Sequence, residues 1–189
     1  GDTRMTSKLK TDVLETVSGS GTIALTSQLS GMTHASVPSG SVLQVVQAVN
    51  PDIVTYSNNH NWQDLTGLTA NITPSSTSNK ILISINVTGY TTYDSTVRLL
   101  RDTTVIGAGT ASGAKSSGIV AWPTPRHVGG SSSSSGEYLD SPNSTSTITY
   151  KLQAIFYSDV GYMNRSKTDG NQGYDSRLIS TITLTEIKG

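Results

Sequence analysis

Apolar residues alternate with polar ones along most of the chain after residue 40, and this period of two constrains the fold most. The segment 80–90, KILISINVTGY, places four β-branched residues on alternate positions: Ile81, Ile83, Ile85 and Val87. Side chains of a β-strand point alternately to opposite faces, so this spacing predicts a strand with one buried face. The segment 148–156 repeats the pattern with Ile148, Tyr150, Leu152, Ala154 and Phe156. Near the end of the chain, Leu178, Ile182 and Leu184 predict a third core face.

About ten such strand-like runs follow one another from residue 40 to residue 187, separated by turn-forming stretches such as TPSSTSN and KTDGNQG. No window of a dozen residues shows the period of an amphipathic helix. The pattern therefore predicts an all-β chain folded as an antiparallel β-sandwich or jelly roll. The low-complexity run HVGGSSSSSGEY, residues 127–138, predicts a mobile loop within that domain.

Residues 1–39 differ from the rest because they are rich in Gly, Ser and Thr with only isolated apolar residues. Ile23 and Leu25 predict one short strand there, which could hardly be buried within its own chain. We therefore predict an extended attachment segment over 1–39, which needs a partner surface, and a single head domain over 40–189.

Charge and composition exclude several function classes. Thirteen basic residues balance thirteen acidic ones, so the chain lacks the basic surplus typical of nucleic-acid-binding proteins. The sequence contains no cysteine, which excludes disulfides and Cys-ligated metals. The apolar runs are far shorter than the roughly 20 residues of a membrane-spanning helix. The first thirty residues lack the apolar region of a signal peptide. We expect no membrane insertion and no nucleic-acid partner.

Motifs for catalysis or cofactor binding do not emerge from the residues. The glycine-rich stretch 107–118 has the wrong spacing for a phosphate-binding loop, since Ala114 separates Gly113 from Lys115. The three histidines His34, His60 and His127 are too far apart in sequence to indicate a zinc site. The Asp and Glu residues lie mostly in turns, and no pair is singled out for glycosidase chemistry. We expect neither an enzyme nor a cofactor or metal.

Aromatic residues in turn-rich segments are the candidate binding residues, because neutral proteins that bind sugars usually stack them on Trp or Tyr. Four residues meet this description: Trp122, Tyr138, Tyr162 and Tyr174. Packing at a domain or subunit interface is the competing interpretation for each of them. Trp62 precedes an alternating strand and is predicted to lie in the core.

Several segments in order resemble a known family. They are WQDLTGLTANITPSSTSNKILISINVTGY, RLLRDTTVIGAG, YLDSPNSTSTITYKLQ, YMNRS and STITLTEIKG. Together they look like the C-terminal domain of small tail-fibre or virion appendage proteins of bacteriophages, especially marine and cyanobacterial ones. The opening MTSKLKTDVLETVSGSGTIALT resembles the N-terminal segment of such proteins, which suggests a natural start at Met5. Each segment alone is weak, but their matching order spans nearly the whole chain.

The resemblance implies a homotrimer with a β-sandwich head similar to that of tumour necrosis factor, located on the phage particle. It implies that the N-terminal segment binds other virion proteins while the head contacts a host surface glycan or protein. No catalytic or receptor-contact residue is carried over from the family. Two alternatives stay open: a capsid-decorating or head-fibre protein without a receptor, and an enzyme that degrades envelope polysaccharide.

Overall fold

The computed structural model describes residues 37–93, 95–124, 130–157, 159–173 and 175–189. The predicted attachment segment lies almost wholly outside the described residues, which form one compact unit from Val37 to Gly189. The described chain contains eleven β-strands and no helix, which confirms the all-β prediction. The strands are β1 (Val42–Asn50), β2 (Val54–Tyr56), β3 (Gln63–Ile72), β4 (Lys80–Tyr90), β5 (Thr96–Arg101), β6 (Thr104–Ile106), β7 (Val120–Ala121), β8 (Ser132–Asp140), β9 (Ile148–Ile155), β10 (Gly161–Met163) and β11 (Ser180–Ile187).

The strands form two antiparallel sheets. Sheet A has the order β1-β11-β4 with β8 on the far edge of β4, and β10 and β2 continue beside the end of β4. Sheet B has the order β3-β9-β5, with β6 and β7 both paired to the outer edge of β5. Eight main strands remain when β6 and β7 count as one interrupted strand and the short β2 and β10 are set aside. Numbered anew from one to eight in chain order, they run 1-8-3-6 in sheet A and 2-7-4-5 in sheet B. This order is the topology of a jelly roll, as the strand pattern predicts.

The two sheets pack face to face, and the alternation of apolar residues in the sequence predicts which residues point into the core between them. All four alternate residues of β4 from Ile81 to Val87 lie in the core with exposures of 3% or less. The five predicted residues of the β9 segment, from Ile148 to Phe156, are buried as well. Ile182 and Leu184 are fully buried, but the prediction that Leu178 shares their core face is wrong because Leu178 precedes β11 and stays half-exposed.

The serine run corrects the prediction of a mobile loop. Residues from Ser132 to Ser135 belong to β8, which pairs with β4 along nine consecutive positions from Ser132↔Gly89 to Asp140↔Ile81. Serine has little intrinsic strand preference, but the long neighbouring strand β4 supplies backbone partners along one edge of the run. Tertiary pairing therefore outweighs local composition here.

A buried carboxylate ties the last strand to the loop between β3 and β4. Glu186 of β11 is fully buried on the inner side. Its oxygens accept hydrogen bonds from Gln44 Nε2 at 2.5 Å, Asn79 Nδ2 at 2.6 Å, and the backbone N–H and hydroxyl of Ser75 at 2.7 and 2.9 Å. Burial alone would raise the pKa of Glu186, but these donors outweigh it and hold the pKa below its ordinary value. The ionised carboxylate thus fixes one end of the sandwich.

Candidate functional site

The sandwich has two ends with different roles in the chain. At one end, which we call the entry end, the described chain begins: the Gly40 N–H donates to the Lys188 carbonyl at 2.8 Å, and the Lys188 N–H donates to the Ser41 carbonyl at 2.9 Å. The register places Val42 opposite Ile187 and Ile187 opposite Lys80 at this same end. The first described residues of the chain therefore lie at the entry end.

The opposite end, which we call the loop end, gathers the connections that follow β1, β2, β4, β9 and β10. Their described parts are residues 51–53, 57–62, 91–93, 95, 156–157, 159–160, 164–173 and 175–179. Four of the nine large hydrophobic residues exposed in the described chain lie on these loops: Ile53, Tyr93, Tyr157 and Ile179. Tyr93 is 56% exposed and Tyr157 is 38% exposed. Exposed aromatic rings next to polar loops are the surfaces that proteins use to contact sugars and other proteins.

A buried asparagine holds the loop end together. Asn164 follows β10, is fully buried and has a φ of 62°. Its Nδ2 donates to the carbonyls of Asn50 at 2.7 Å and Asp52 at 2.9 Å. Its Oδ1 accepts from the hydroxyls of Thr88 at 2.9 Å and Ser180 at 2.7 Å. Since an amide has two N–H donors and one acceptor oxygen with two lone pairs, all four of its hydrogen bonds are made.

Further contacts join the remaining loops. The His60 ring lies 5.5 Å from the Tyr157 ring, and its Nε2 donates to the Tyr157 carbonyl at 2.5 Å. The Thr92 hydroxyl donates to Asp159, and this bond lowers the pKa of that carboxyl. The exposed rings are therefore carried on loops that are tied to one another.

Tyr162, one of the predicted binding residues, lies at the loop end within a cluster of aromatic and charged side chains. The Arg165 guanidinium carbon lies 4.1 Å from the centre of the half-buried Tyr162 ring, and the Tyr90 ring is 6.5 Å away. Arg165 also forms an ion pair with Asp169 at 2.8 Å, and Asp169 contacts Arg177. The guanidinium covers one face of Tyr162, so the ring supports the 164–178 loop at least as much as it faces solvent.

The prediction that Trp122 stacks on a ligand is wrong, because this residue is only 1% exposed. It packs in a buried aromatic triad, with ring centres 4.9 Å from Phe156 and 5.9 Å from Tyr56. Tyr56 and Phe156 stack at 5.9 Å with nearly parallel planes. The triad forms the floor beneath the loop end, so Trp122 contributes to the site through packing alone.

Tyr138, another predicted binding residue, lies on a strand rather than on the loops. Tyr138 lies on β8 opposite Ile83 and packs partly buried against the core and against Gly107, where a Cβ would come within 2.9 Å of the ring. Gly107 has a φ of 60°, which a residue with a side chain adopts only with strain. Tyr174 lies outside the described residues.

Sequence reasoning missed the exposed residues of the loop end and misplaced Trp62. Tyr93 and Tyr157 stand in turn-rich segments, TTYDS and FYSDV, which is the signal that selected the other aromatics. The prediction that Trp62 lies in the core is wrong: its side chain is half-exposed on the outer side of sheet B, beneath the Arg98 guanidinium at 4.0 Å. Trp62 lies two residues before the exposed Asp64 and three before the buried Leu65, so its outward position continues the alternation of β3.

A shallow groove of about 390 Å³ lies beside the glycine-rich loop between β6 and β7. Thr96, Lys115, Ser116 and Gly118 contribute to its lining, and the Thr96 and Ser116 hydroxyls are 2.5 Å apart. In the described part of the chain, no group of three or more His, Asp or Glu side chains could hold a metal ion.

A scan against family models and a search of curated proteins found no match for this chain. Among the described residues there is no helix of the length and apolarity that crossing a membrane requires.

Proposed function

We propose that this protein is a structural component of a bacteriophage virion, a homotrimeric tail fibre or appendage that attaches the particle to the host surface. The observation that carries this proposal is the difference between the two ends of the head. The chain joins the sandwich at the entry end, and exposed Tyr93 and Tyr157 lie at the loop end. A head anchored through its N-terminal side would thus present its exposed aromatic rings away from the anchor.

The chemistry of the loop end supports a glycan or protein as the host ligand. The exposed rings can stack on sugar rings, and the surrounding Asn, Asp, Ser and Thr side chains can hydrogen-bond hydroxyl groups. The role proposed for this end is binding rather than catalysis. Three copies on one trimer would gain affinity through avidity, by factors of roughly 10² to 10⁴ where the spacing fits the host surface.

The outer face of sheet A supports self-association. Its strands β1, β11, β4 and β8 align in three rows: Val45–Thr185–Leu82–Leu139, Gln47–Thr183–Ser84–Glu137 and Val49–Thr181–Asn86–Ser135. Only Glu137 among these side chains is charged, and Val45, Val49 and Leu139 are 58%, 44% and 47% exposed. A nearly uncharged face with exposed apolar residues suits contact with identical copies better than contact with a charged partner.

Light scattering on the purified protein tests the self-association. The wild-type chain should have the mass of a trimer, and Val45→Lys or Leu139→Lys should shift it to the monomer, because each change buries an unpaired charge in the interface. Val105→Lys is the matched control, since Val105 is exposed to 39% on β6 of the other sheet. A monomeric wild-type chain at tens of micromolar would refute the homotrimer.

Competition for host cells tests the attachment function. The purified wild-type protein should reduce adsorption of the phage, and the double variant Tyr93→Ala, Tyr157→Ala should block adsorption much less while keeping the wild-type unfolding temperature. Undiminished adsorption in the presence of wild-type protein would count against a receptor role. Antibody labelling spread regularly over the capsid shell, in place of the tail, would favour a capsid decoration or head fibre.

A further inference from the structure

The outer face of sheet B carries a connected cluster of side chains around Trp62, which we call the Trp62 ladder: Trp62, Asp64, Arg98, Lys151 and Gln153. The register brings them together, since Asp64 of β3 lies opposite Gln153 of β9, and Gln153 lies opposite Arg98 of β5. Lys151 is two residues from Gln153 and points to the same face. The cluster is supported by three paired strands, although the β3–β9 register shifts between Asp64 and Thr69.

The contacts run through the cluster without a break. The Arg98 guanidinium lies 4.0 Å from the centre of the Trp62 ring, and its Nε and Nη2 donate to Gln153 Oε1 at 2.8 and 2.5 Å. Gln153 Nε2 donates to Asp64 Oδ1 at 2.5 Å. Lys151 Nζ donates to Asp64 Oδ2 at 2.9 Å. Each side chain is thereby held in place before any ligand arrives.

The hydrogen-bonding groups left over are donors. The amide oxygen of Gln153 accepts two bonds, and both oxygens of Asp64 are engaged. Arg98 Nη1 donates to no described residue, and the Lys151 ammonium uses one of its three donors on Asp64. Burial opposes ionisation of Asp64, but Gln153 and Lys151 outweigh it and lower its pKa. Two cations and one carboxylate leave the cluster with one positive charge at neutral pH.

We propose that the Trp62 ladder binds a saccharide that carries a carboxylate, such as an oligomer of a uronic acid. The Arg98 guanidinium covers one face of the half-exposed Trp62 indole, so the sugar ring would stack on the part of the indole that Arg98 leaves uncovered, and the open donors of Arg98 and Lys151 would take the carboxylate. A neutral sugar would leave these donors without an anionic acceptor. A nucleic acid fits less well because it needs several phosphate contacts along a basic groove, and here a carboxylate stands between two cations.

This site lies on the outer face of sheet B, where that face adjoins the loop end through Trp62, and the proposal does not depend on the proposed attachment function. Its ligand class follows from the donors and the stacking surface alone. A uronic-acid polymer presents the same group at every residue, so copies of the head could engage one polymer at several points.

Tryptophan fluorescence provides the test, since the chain has two tryptophans and Trp122 is buried. The full chain is titrated with tri-galacturonic acid, with an uncharged galactose trimer and with a short oligothymidylate. Only the acidic trisaccharide should shift the emission. Trp62→Phe should remove the emission change, and calorimetry should still detect weakened binding by this variant. Equal binding of the neutral trimer, no binding of the acidic one, or tighter binding of oligothymidylate would overturn the proposal.

Charge variants then locate the carboxylate. Arg98→Ala and Lys151→Ala should each lower the affinity for the acidic trisaccharide by about tenfold or more, because each removes a charge-assisted hydrogen bond. Lys115→Ala removes an exposed lysine from the loop between β6 and β7 and should leave affinity unchanged. Thermal unfolding of each variant checks that the sheet is intact. Folded charge variants that bind as tightly as wild type would also overturn the proposal.

Discussion

Replacing Asn164 by alanine should loosen the loop end and destabilise the whole head. The change removes four hydrogen bonds: three buried ones, to the Asn50 carbonyl and to the hydroxyls of Thr88 and Ser180, and a partly buried one to the Asp52 carbonyl. At about 1 kcal/mol for each bond, the loss is about 4 kcal/mol. Alanine at a φ of 62° adds about 1 kcal/mol of backbone strain. The free energy of unfolding should therefore fall by about 5 kcal/mol, or roughly 10–20 °C in Tm for a domain of this size.

Asn143 offers a matched control for the backbone term. It has a φ of 52°, and its side chain makes no hydrogen bond with the described residues. Asn143→Ala should cost only about 1 kcal/mol, and Asn143→Gly should be neutral or slightly stabilising. Asn164→Gly removes the strain but also the bonds, so it should still cost about 4 kcal/mol.

Urea unfolding of the four variants, followed by circular dichroism, measures these differences. The two glycine variants separate the hydrogen-bond network from the left-handed conformation. If Asn164→Gly and Asn143→Gly unfold at the same urea concentration as each other, the four hydrogen bonds contribute no net stability and the reasoning is refuted.

Two further substitutions test packing beside Tyr162 and electrostatics at Glu186. Gly89→Ala places a Cβ 2.1 Å from the Tyr162 carbonyl oxygen and should cost about 3 kcal/mol in chemical denaturation, while Gly109→Ala, with nothing within 4 Å, should stay within about 0.5 kcal/mol. Glu186 has a lowered pKa in the folded state, so its contribution is present above the unfolded pKa and is lost as pH falls through the folded one. Glu186→Gln should therefore lower the free energy of unfolding at pH 7 by about 2–4 kcal/mol and reduce the loss of stability below about pH 4. If the variant lost as much stability as the wild type below that pH, this role of Glu186 would be contradicted.

The strands with strict alternation could be predicted closely from the sequence. The run KILISINVTGY coincides with β4 from Lys80 to Tyr90, and every predicted inward residue of β4 and β9 is buried. This success has a simple physical reason. A strand in the middle of a sheet has only one face to bury, so its hydrophobic pattern determines its register.

Residues at strand ends could not be placed in the same way. Trp62 and Trp122 both adjoin short or irregular segments, and the predictions for them are wrong in opposite directions: Trp62 is half-exposed and Trp122 is in the core. Trp122 follows the two-residue strand β7, which is too short for a period of two to indicate its direction, whereas the prediction for Trp62 put its apolar character above the register of Asp64 and Leu65. Phe156 and Tyr56 both pack against Trp122 beneath the loops. These contacts join residues far apart in the sequence, so no local pattern predicts them.

The Trp62 ladder could not be predicted from the sequence either. Asp64, Arg98 and Gln153 are far apart in the sequence, and only the neighbouring positions of β3, β9 and β5 bring them together. The sequence contained the necessary residue types, but the strand order that selects them is a property of the jelly roll.

The proposed surfaces differ in chemistry as well as in place, and this makes their tests independent. The outer face of sheet A is nearly uncharged, the outer face of sheet B presents open cationic donors, and the loop end presents exposed tyrosines. Substitutions on separate surfaces with no shared partners act additively. Loss of the proposed trimer through Val45→Lys should therefore leave the binding of tri-galacturonic acid by one head unchanged, and weaken only the avidity for a long polymer. If Val45→Lys abolished binding of the trisaccharide itself, the ligand would have to contact two copies, and the Trp62 ladder would be only part of the site.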